Sequence, residues 1–315
     1  MAQISTSIVI ATYNRPYMLK RTLQSISDAE WPSTFVNVIV VENSKPSGAA
    51  EICAEFKNLP IKLFNESKQG LSHARNRGFL ESNEDIIIFF DDDVLIANDS
   101  LLAYEEEILK YGKTRFYGGS LIPDYPGMGP PEWLKKHLPC SVTGLLFNGH
   151  NKDIWKPVFV GTNHAFPRSL LVELGGYDHL SAYKTGGAVG EETRLQERLI
   201  QNGIPGRAIV HAKVWHWVPD DSCSPNWALR RRRRHGYTDG YLDAINKGQS
   251  TRPWIVRLIL SNAVSFAWSF FTSFDTEERF KKGVKLQYML GYYQGIREGV
   301  RDRNNGYDYR SARKD

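Results

Sequence analysis

Residues 86–93 read IIIFFDDD, five consecutive apolar side chains that run straight into three carboxylates. A β-branched and aromatic run of this length suits a strand buried on both faces, as in a parallel sheet. Its acids then sit at the carboxyl end of the strand, where open α/β sheets bind ligands. Adjacent carboxylates repel one another unless a cation or helix N-termini compensate. A hard divalent metal that also holds substrate phosphates needs only one or two of them. A solvated acidic turn capping the next helix is the other reading of the triplet. The apolar lead-in favours the metal, because a sheet fixes where the carboxylates sit.

The first half of the chain alternates in the same sense. Residues 4–11, 35–41 and 61–64 read as strands. Helices are expected from Pro16 to about Ser27, at 48–57, at 70–81, and from Asn98 or Asp99 as cap to about Lys110. This alternation implies βαβ units and a mostly parallel sheet, with the loops 12–15, 42–44 and 91–93 all at carboxyl ends of strands. Beyond it, a strand is expected at 115–121, a Pro- and Gly-rich stretch at 123–133, and strand and turn over 157–167. Helices at 168–174 and 190–202 and a strand at 207–211 follow, and the chain reads as helical from Trp227 almost to its end. The expected fold is α/β, with a mixed, largely parallel central sheet and a helical C-terminal extension. A domain over 1–222 would hold a donor half, about 1–121, and an acceptor half, about 122–222, before an extension over 223–315.

Charge separates the two regions. Residues 228–315 hold 18 Lys+Arg and 9 Asp+Glu, a net +9, while the remainder holds 22 and 26, a net −4, which sum to the chain's +5. A basic C-terminal quarter points to an anionic partner: diphosphate, acidic lipid or nucleic acid. Cys53, Cys140 and Cys223 form no CxxC pair, so neither a disulfide framework nor a cysteine zinc site is expected, and a cytoplasmic, reducing setting fits. The opening apolar run reads as a strand, not a signal peptide.

Six segments, in order, resemble the family-two inverting glycosyltransferases of the GT-A fold: SIVIATYNRP, VVENS, GLSHARNRG, FFDDDV, VGTNHAFPRSLLVELGGYD and GEETRLQERLIQNG. Together they cover roughly residues 5–240. The resemblance implies that Thr12, Tyr13, Asn14 and Arg15 surround the nucleotide, and that Glu42 contacts its ribose or base where the family has Asp. It also implies that Arg75 pairs with the nucleotide or diphosphate. Asp91 would contact the nucleoside, with Asp92 beside it, and Asp93 would bind a metal bridging the diphosphate. Glu192 takes the place of the family's general base, an Asp there, and follows Glu191 at a helix start after the loop 185–190. Glu191 itself is read as an acceptor ligand or a helix cap, and both acids also suit the helix dipole. His216 matches the family's histidine metal ligand, with His211 as competitor; a histidine ligand favours Mn2+ over Mg2+. Of the five arginines from Arg230 to Arg234, the resemblance sets Arg230, Arg231 and Arg234 to neutralise the leaving diphosphate.

The implied reaction is metal-dependent, inverting transfer of a sugar from a nucleotide sugar, a UDP-sugar by expectation, to a hydroxyl of a glycan or lipid-linked acceptor. A nucleotidyltransferase is the rival enzyme class, although ATYNRP stands where its glycine-rich phosphate loop would be. An inactive nucleotide-sugar or glycan binder is the non-enzymatic rival. Nucleic acid is set aside as a partner, since the basic run lacks interleaved aromatics.

Residues 254–274 are long enough to span a bilayer, which takes about 20 residues. Yet Arg257, Ser261, Ser265, Ser269 and Thr272/Ser273 recur every three or four positions as a polar stripe. A helix packed on protein, a homo-oligomer contact and a helix lying at an anionic membrane surface all fit better than a span. The last of these would put the chain at the inner face of the membrane. Asp275 and Glu278 read as a capping pair ahead of Lys281, Lys282 and Lys285.

Overall fold

A computed structural model describes residues 4–43, 46–181, 189–250, 253–273 and 275–306. In chain order the first elements are β1 (Thr6–Thr12), α1 (Pro16–Asp28), β2 (Phe35–Glu42), α2 (Ala49–Glu55), β3 (Ile61–Asn65), α3 (Leu71–Glu81), β4 (Ile86–Asp91), β5 (Val94–Ile96) and α4 (Ser100–Tyr111). Then come β6 (Phe116–Asp124), the short helices α5 (Glu132–Lys135) and α6 (Cys140–Thr143), β7 (Lys152–Ile154), β8 (Asn163–Pro167), α7 (Arg168–Leu174), α8 (Glu191–Gln201) and β9 (Gly206–Trp217). Three long helices follow: α9 (Pro225–Asn246), α10 (Pro253–Thr272) and α11 (Thr276–Asn304).

The chain divides into two compact units. The first takes in residues 1–124, 140–182 and 190–217, and the second 125–139, 183–189 and 218–315. The helical unit therefore starts a few residues before the expected 223 and recruits the Pro- and Gly-rich stretch that had been assigned to the acceptor half.

The first unit is built on a mixed sheet in the order β3-β2-β1-β4-β8-β6-β9-β5, with β7 also paired to β9. The strands β3, β2, β1 and β4 are mutually parallel, as is β6 with β9, while β8, β5 and β7 pair antiparallel to their neighbours. Strand periodicity explains the two-sided core. Ile8, Ile10, Val38, Val40, Ile86, Ile88 and Phe90 face one cluster with Leu23, Tyr104 and Ile108. Their alternates Val9, Ile39, Val41, Ile87 and Phe89 face another with Phe79, Leu171, Leu195 and Leu199.

The structure departs from the sequence expectation in several places. A short strand, β5, follows the acidic triplet where only a turn into α4 was expected. Asp99 occupies the N-cap of α4, but its side chain makes no cap hydrogen bond. The strands β6 and β9 run past the expected 121 and 211, β7 was not foreseen, and only the end of 157–167 is strand. The extension of β9 has a visible cause. Its register against β6 jumps from Gly119↔Ile209 to Ser120↔Lys213. Asn163 sews up this bulge, donating its amide to the carbonyls of Ser120 (3.0 Å) and Ala212 (2.9 Å) while accepting the Tyr104 hydroxyl (2.9 Å). Only glycine fits at 119, since a Cβ there would lie 1.9 Å from the Ala212 carbonyl oxygen. Beyond the bulge, β9 pairs with β5.

In the second unit, α9 and α11 run parallel in backbone contact, with α10 returning between them along the chain. Cβ atoms on Gly236 and Gly240 would strike the carbonyls of Tyr288 and Tyr292 at 2.1 Å. On Gly291 and Gly295 they would strike those of Arg233 and Tyr237 at 1.9 and 2.1 Å. Small residues four apart on both helices permit this approach. Four hydroxyl-to-carboxylate bonds lock the pair in both directions. Tyr237 donates to Glu298 (2.6 Å) and Tyr241 to Asp302 (3.0 Å), while Tyr288 donates to Asp239 (2.8 Å) and Tyr292 to Asp243 (2.7 Å). Asp275 caps α11 through the Glu277 N–H (2.8 Å), but Glu278 reaches the Ser273 hydroxyl (2.9 Å) instead of closing the expected capping box.

A methyl at either contact glycine should overpack the helix pair. Gly291→Ala and Gly240→Ala are each expected to cost about 1–3 kcal/mol, read as a lower midpoint in thermal unfolding. An unchanged midpoint would mean that the helices tolerate separation.

Candidate active site

The acidic triplet leaves β4 and enters β5, and its three carboxylates divide between two arginines. Asp91 takes Arg75 Nη2 at 2.8 Å. Asp92 is fully buried, accepts the Thr12 hydroxyl (2.7 Å), and is gripped by both Nε (3.2 Å) and Nη2 of Arg15. Burial pushes the Asp92 carboxyl up to about 7 against the pull of Arg15. Asp93 Oδ2 takes Arg15 Nη1 at 2.7 Å. Its Oδ1 is buried without a hydrogen-bond partner and lies 3.6 Å from His216 Nε2.

The β5–β9 pairing makes that last contact. His216 stands opposite Val94, and the Trp217 N–H donates to the Asp93 carbonyl (2.9 Å). His211, the competitor, is exposed. His216 Nδ1 lies 2.8 Å from the Ser141 carbonyl, which can only accept, so Nδ1 donates there and Nε2 is the ring nitrogen that faces Asp93.

That pair tests whether a metal fits. Asp93 Oδ1, buried without a hydrogen-bond partner, faces His216 Nε2, and a carboxylate with an imidazole is a donor set that a divalent cation accepts. Among the described residues no group of three or more His, Cys, Asp or Glu could hold a metal. Asp93 and His216 would be the protein's ligands to such an ion, whose chemistry there would be to offset negative charge on a phosphate.

Arg75, expected against nucleotide or diphosphate, is instead only 3% exposed. Besides Asp91 it donates to the Gly161 carbonyl (3.0 Å) and to Glu191 (3.4 Å), and its guanidinium lies 5.4 Å from the Tyr177 ring centroid. One cation thus joins the end of β4 to the start of α8. Behind it, the Tyr177 hydroxyl donates to His164 Nε2 (2.5 Å), whose Nδ1 faces the Val160 carbonyl (3.1 Å). Burial and the nearby charge of Arg75 hold His164 down to about 3, so this imidazole is neutral.

The other expected residues fall as follows. Tyr13 is half exposed, and Asn14, at φ 52°, turns the chain out of β1 in the left-handed region. Glu42 is buried and accepts the N–H (2.7 Å) and hydroxyl (2.6 Å) of Ser47. Glu191 is buried, while Glu192 is half-buried in the first turn of α8. Thr185 to Ala188, in the loop before them, lie outside the described residues. On α9, in the second unit, Arg230 pairs with Asp221 (2.7 Å), Arg231 lies 5.4 Å from the Trp227 ring centroid, and Arg234 is exposed.

Sequence reasoning missed the clamp that seats α8. Arg194 holds Asp178 through two bonds, Nε (2.6 Å) and Nη2 (2.8 Å). Arg198, one turn on, donates to the carbonyls of Leu174 (2.8 Å) and Gly176 (2.7 Å). Gln196 brackets the Phe159 backbone at 3.0 and 2.8 Å. The signal was the pair of arginines four apart behind Glu191-Glu192, facing GGYD.

A doubly wound α/β half, an antiparallel flank and an acidic strand end make up the GT-A glycosyltransferase fold. Residues 7–175 match the family model described as glycosyl transferase family 2, and the chain belongs to that family. It is 27% identical over 262 residues to the succinoglycan biosynthesis protein ExoM of Rhizobium meliloti, covering 80% of this chain and 79% of that one. It is 20% identical to the glucosyl-dolichyl phosphate glucuronosyltransferase of Haloferax volcanii, covering 77% of this chain and 78% of that one. It is 24% identical to the Bacillus subtilis protein named Probable glycosyltransferase YdaM over 74% of this chain, but spans only 54% of that protein's length. Among solved structures, the mannosyltransferase PcManGT from Pyrobaculum calidifontis, in complex with GDP-Man and Mn2+, superposes with a TM-score of 0.60 at 18% identity, covering 96% of this chain and 89% of that one. GalNAc-T7 with UDP, GalNAc and Mn2+ gives 0.54 at 14% identity, covering 98% and 59%. Both show the fold.

Two outcomes follow. Asp93→Asn and His216→Ala should each weaken Mn2+ retention in the presence of a nucleoside diphosphate by roughly 10–100-fold, measured by electron paramagnetic resonance; unchanged retention in both would remove the pair as ligands. Asp178→Asn should destabilise the first unit by about 3–5 kcal/mol by removing the carboxylate that neutralises the buried Arg194 guanidinium. Burial would raise the Asp178 carboxyl, but the hydrogen bonds and charge of Arg194 outweigh it and hold it below its ordinary value. The stabilisation is therefore present above the unfolded value, about 3.9, and is lost as pH falls through the lower folded one. Acid unfolding curves of the wild type and Asp178→Asn should accordingly converge at the acid end.

Proposed function

We propose that this chain moves a sugar from a nucleotide-sugar donor, read as a UDP-sugar, to a hydroxyl of a glycan or lipid-linked acceptor, with inversion at the anomeric carbon. The observation that carries the reading is the facing pair of Asp93 Oδ1 and His216 Nε2, 3.6 Å apart, at the carboxyl edge of a sheet whose other edge loops hold Thr12 and Arg15. Family membership supports it. So do the nucleotides bound in the neighbouring structures: GDP-Man in PcManGT, and UDP in both TarS of S. aureus and GalNAc-T7.

In this reading Tyr13, Asn14 and Glu42 border the nucleoside at the ends of β1 and β2. Asp93 and His216 would hold Mn2+ or Mg2+, which would supply stabilisation of negative charge on the diphosphate. Arg15 holds Asp92 and Asp93 in place. Glu192 takes the proton of the acceptor hydroxyl as its oxygen forms a bond to the anomeric carbon. The bond from that carbon to the diphosphate breaks, and its electron pair leaves with the nucleoside diphosphate. Arg75 feels the charge of Glu192 as well as of Glu191 and Asp91. It therefore sets both the position and the electrostatics of the base helix from a site no substrate need touch. Arg230, Arg231 and Arg234 are proposed, on the resemblance, to offset charge on the leaving group.

A panel of nucleotide sugars with Mn2+, read by nucleoside diphosphate release, tests the donor. Glu192→Gln should lower kcat by about 10²–10⁴-fold with little change in donor binding, and NMR of the product should show the anomeric configuration inverted. Wild-type turnover by Glu192→Gln would take the base role from that residue, and a retained configuration would overturn the single displacement.

A further inference from the structure

The helix α10 divides lengthwise into two faces. Ile255 is fully buried in a cluster with Ala244 and Ile296, Ile259 packs beside it, and Phe266 lies over Gly283 of α11. Ser269, assigned from the sequence to the polar stripe, is buried with this face. The opposite face carries Val256, Leu260, Val264 and Trp268 at four-residue intervals. The last three are 60, 68 and 63% exposed, and Trp254, Leu258 and Phe270 are also open. Arg257, Ser261, Ser265 and Thr272 run beside this apolar row and are exposed. A row of large apolar side chains open to water is not neutral surface; it marks a site that something covers.

We propose that this face of α10 lies in the plane of an anionic lipid surface, with Val256, Leu260, Val264 and Trp268 in the acyl boundary and Arg257 at the headgroups. Charge selects lipid over a second copy of the chain. Residues 253–273 contain Arg257 and no acid, and residues 228–315 carry a net +9. Two such units repel each other, while an anionic bilayer attracts either. Arg279, 5.6 Å over the Phe270 ring centroid, adds a cation at the end of the apolar row. Trp254 and Trp268 are 14 positions apart, so they stand about 21 Å from each other along the helix at ~1.5 Å per residue. This spacing gives the surface two interfacial aromatic anchors. Lying flat is required, because one face is already spent on protein. Among the described residues no helix is long and apolar enough to cross a membrane. The inference stands apart from the proposed reaction and does not need it.

Flotation of the full chain tests it, using vesicles of phosphatidylcholine with phosphatidylglycerol and vesicles of phosphatidylcholine alone. Wild type is expected to float with the mixed vesicles and less with the neutral ones. Leu260→Glu/Val264→Glu/Trp268→Glu, at solvent-facing positions that leave the packed face intact, should lose vesicle binding at least tenfold with an unchanged circular dichroism spectrum. Brominated lipid should quench wild-type tryptophan fluorescence more than that of Trp268→Leu. No flotation of wild type, or equal flotation by the triple variant, would overturn the proposal. So would a concentration-dependent dimer in sedimentation velocity that the triple variant abolishes, since the row would then belong to a second copy.

Discussion

Three carboxylates in a row at the end of a buried strand cannot share one neutralising device. Asp91 leans on Arg75, Asp92 on Arg15 and Thr12, and Asp93 on Arg15 with one oxygen left over toward His216. Much of the first unit serves these three demands. Arg75 must be buried to reach Asp91, and a buried guanidinium is tolerable only when fully paired. Glu191 and the Gly161 carbonyl therefore come to it. The electrostatic need of one strand end thus fixes the start of α8, and with it Glu192.

The same economy of buried polar groups explains how β9 reaches the site. A strand that ended at 211 would leave His216 in a loop. The bulge opposite Gly119 and Ser120 carries β9 onward to pair with β5, at the cost of carbonyls that lose their ladder partners. Asn163 supplies the missing donors from one side chain. Asp93 and His216, more than a hundred residues apart, are brought together by backbone pairing of β5 with β9, so their separation is set by the sheet itself.

The helical unit follows a different rule. Its helices α9 and α11 meet through glycine-mediated backbone approach and four tyrosine–carboxylate bonds. On α10, Ile255 and Ser269 turn inward while Leu260, Val264 and Trp268 face outward.

Much of this was legible in the residues. The alternation of β-branched runs with capped helices gave the parallel half of the sheet, because strand and helix periods are local properties. The IIIFFDDD run located the acidic strand end for the same reason, and the ordered motifs located the family. The partner of each acid was not legible. Arg75 reads as a phosphate ligand in any local view, and only the fold buries it between two carboxylates distant in sequence. The bulge in β9, the seat of α8 on Asp178, and the side of α10 that meets protein are likewise set by long-range register and packing. Sequence by itself determined the elements of the parallel half of the sheet and where charge collects, since those depend on neighbours along the chain. Tertiary structure alone decided which charge meets which, since that depends on neighbours across it.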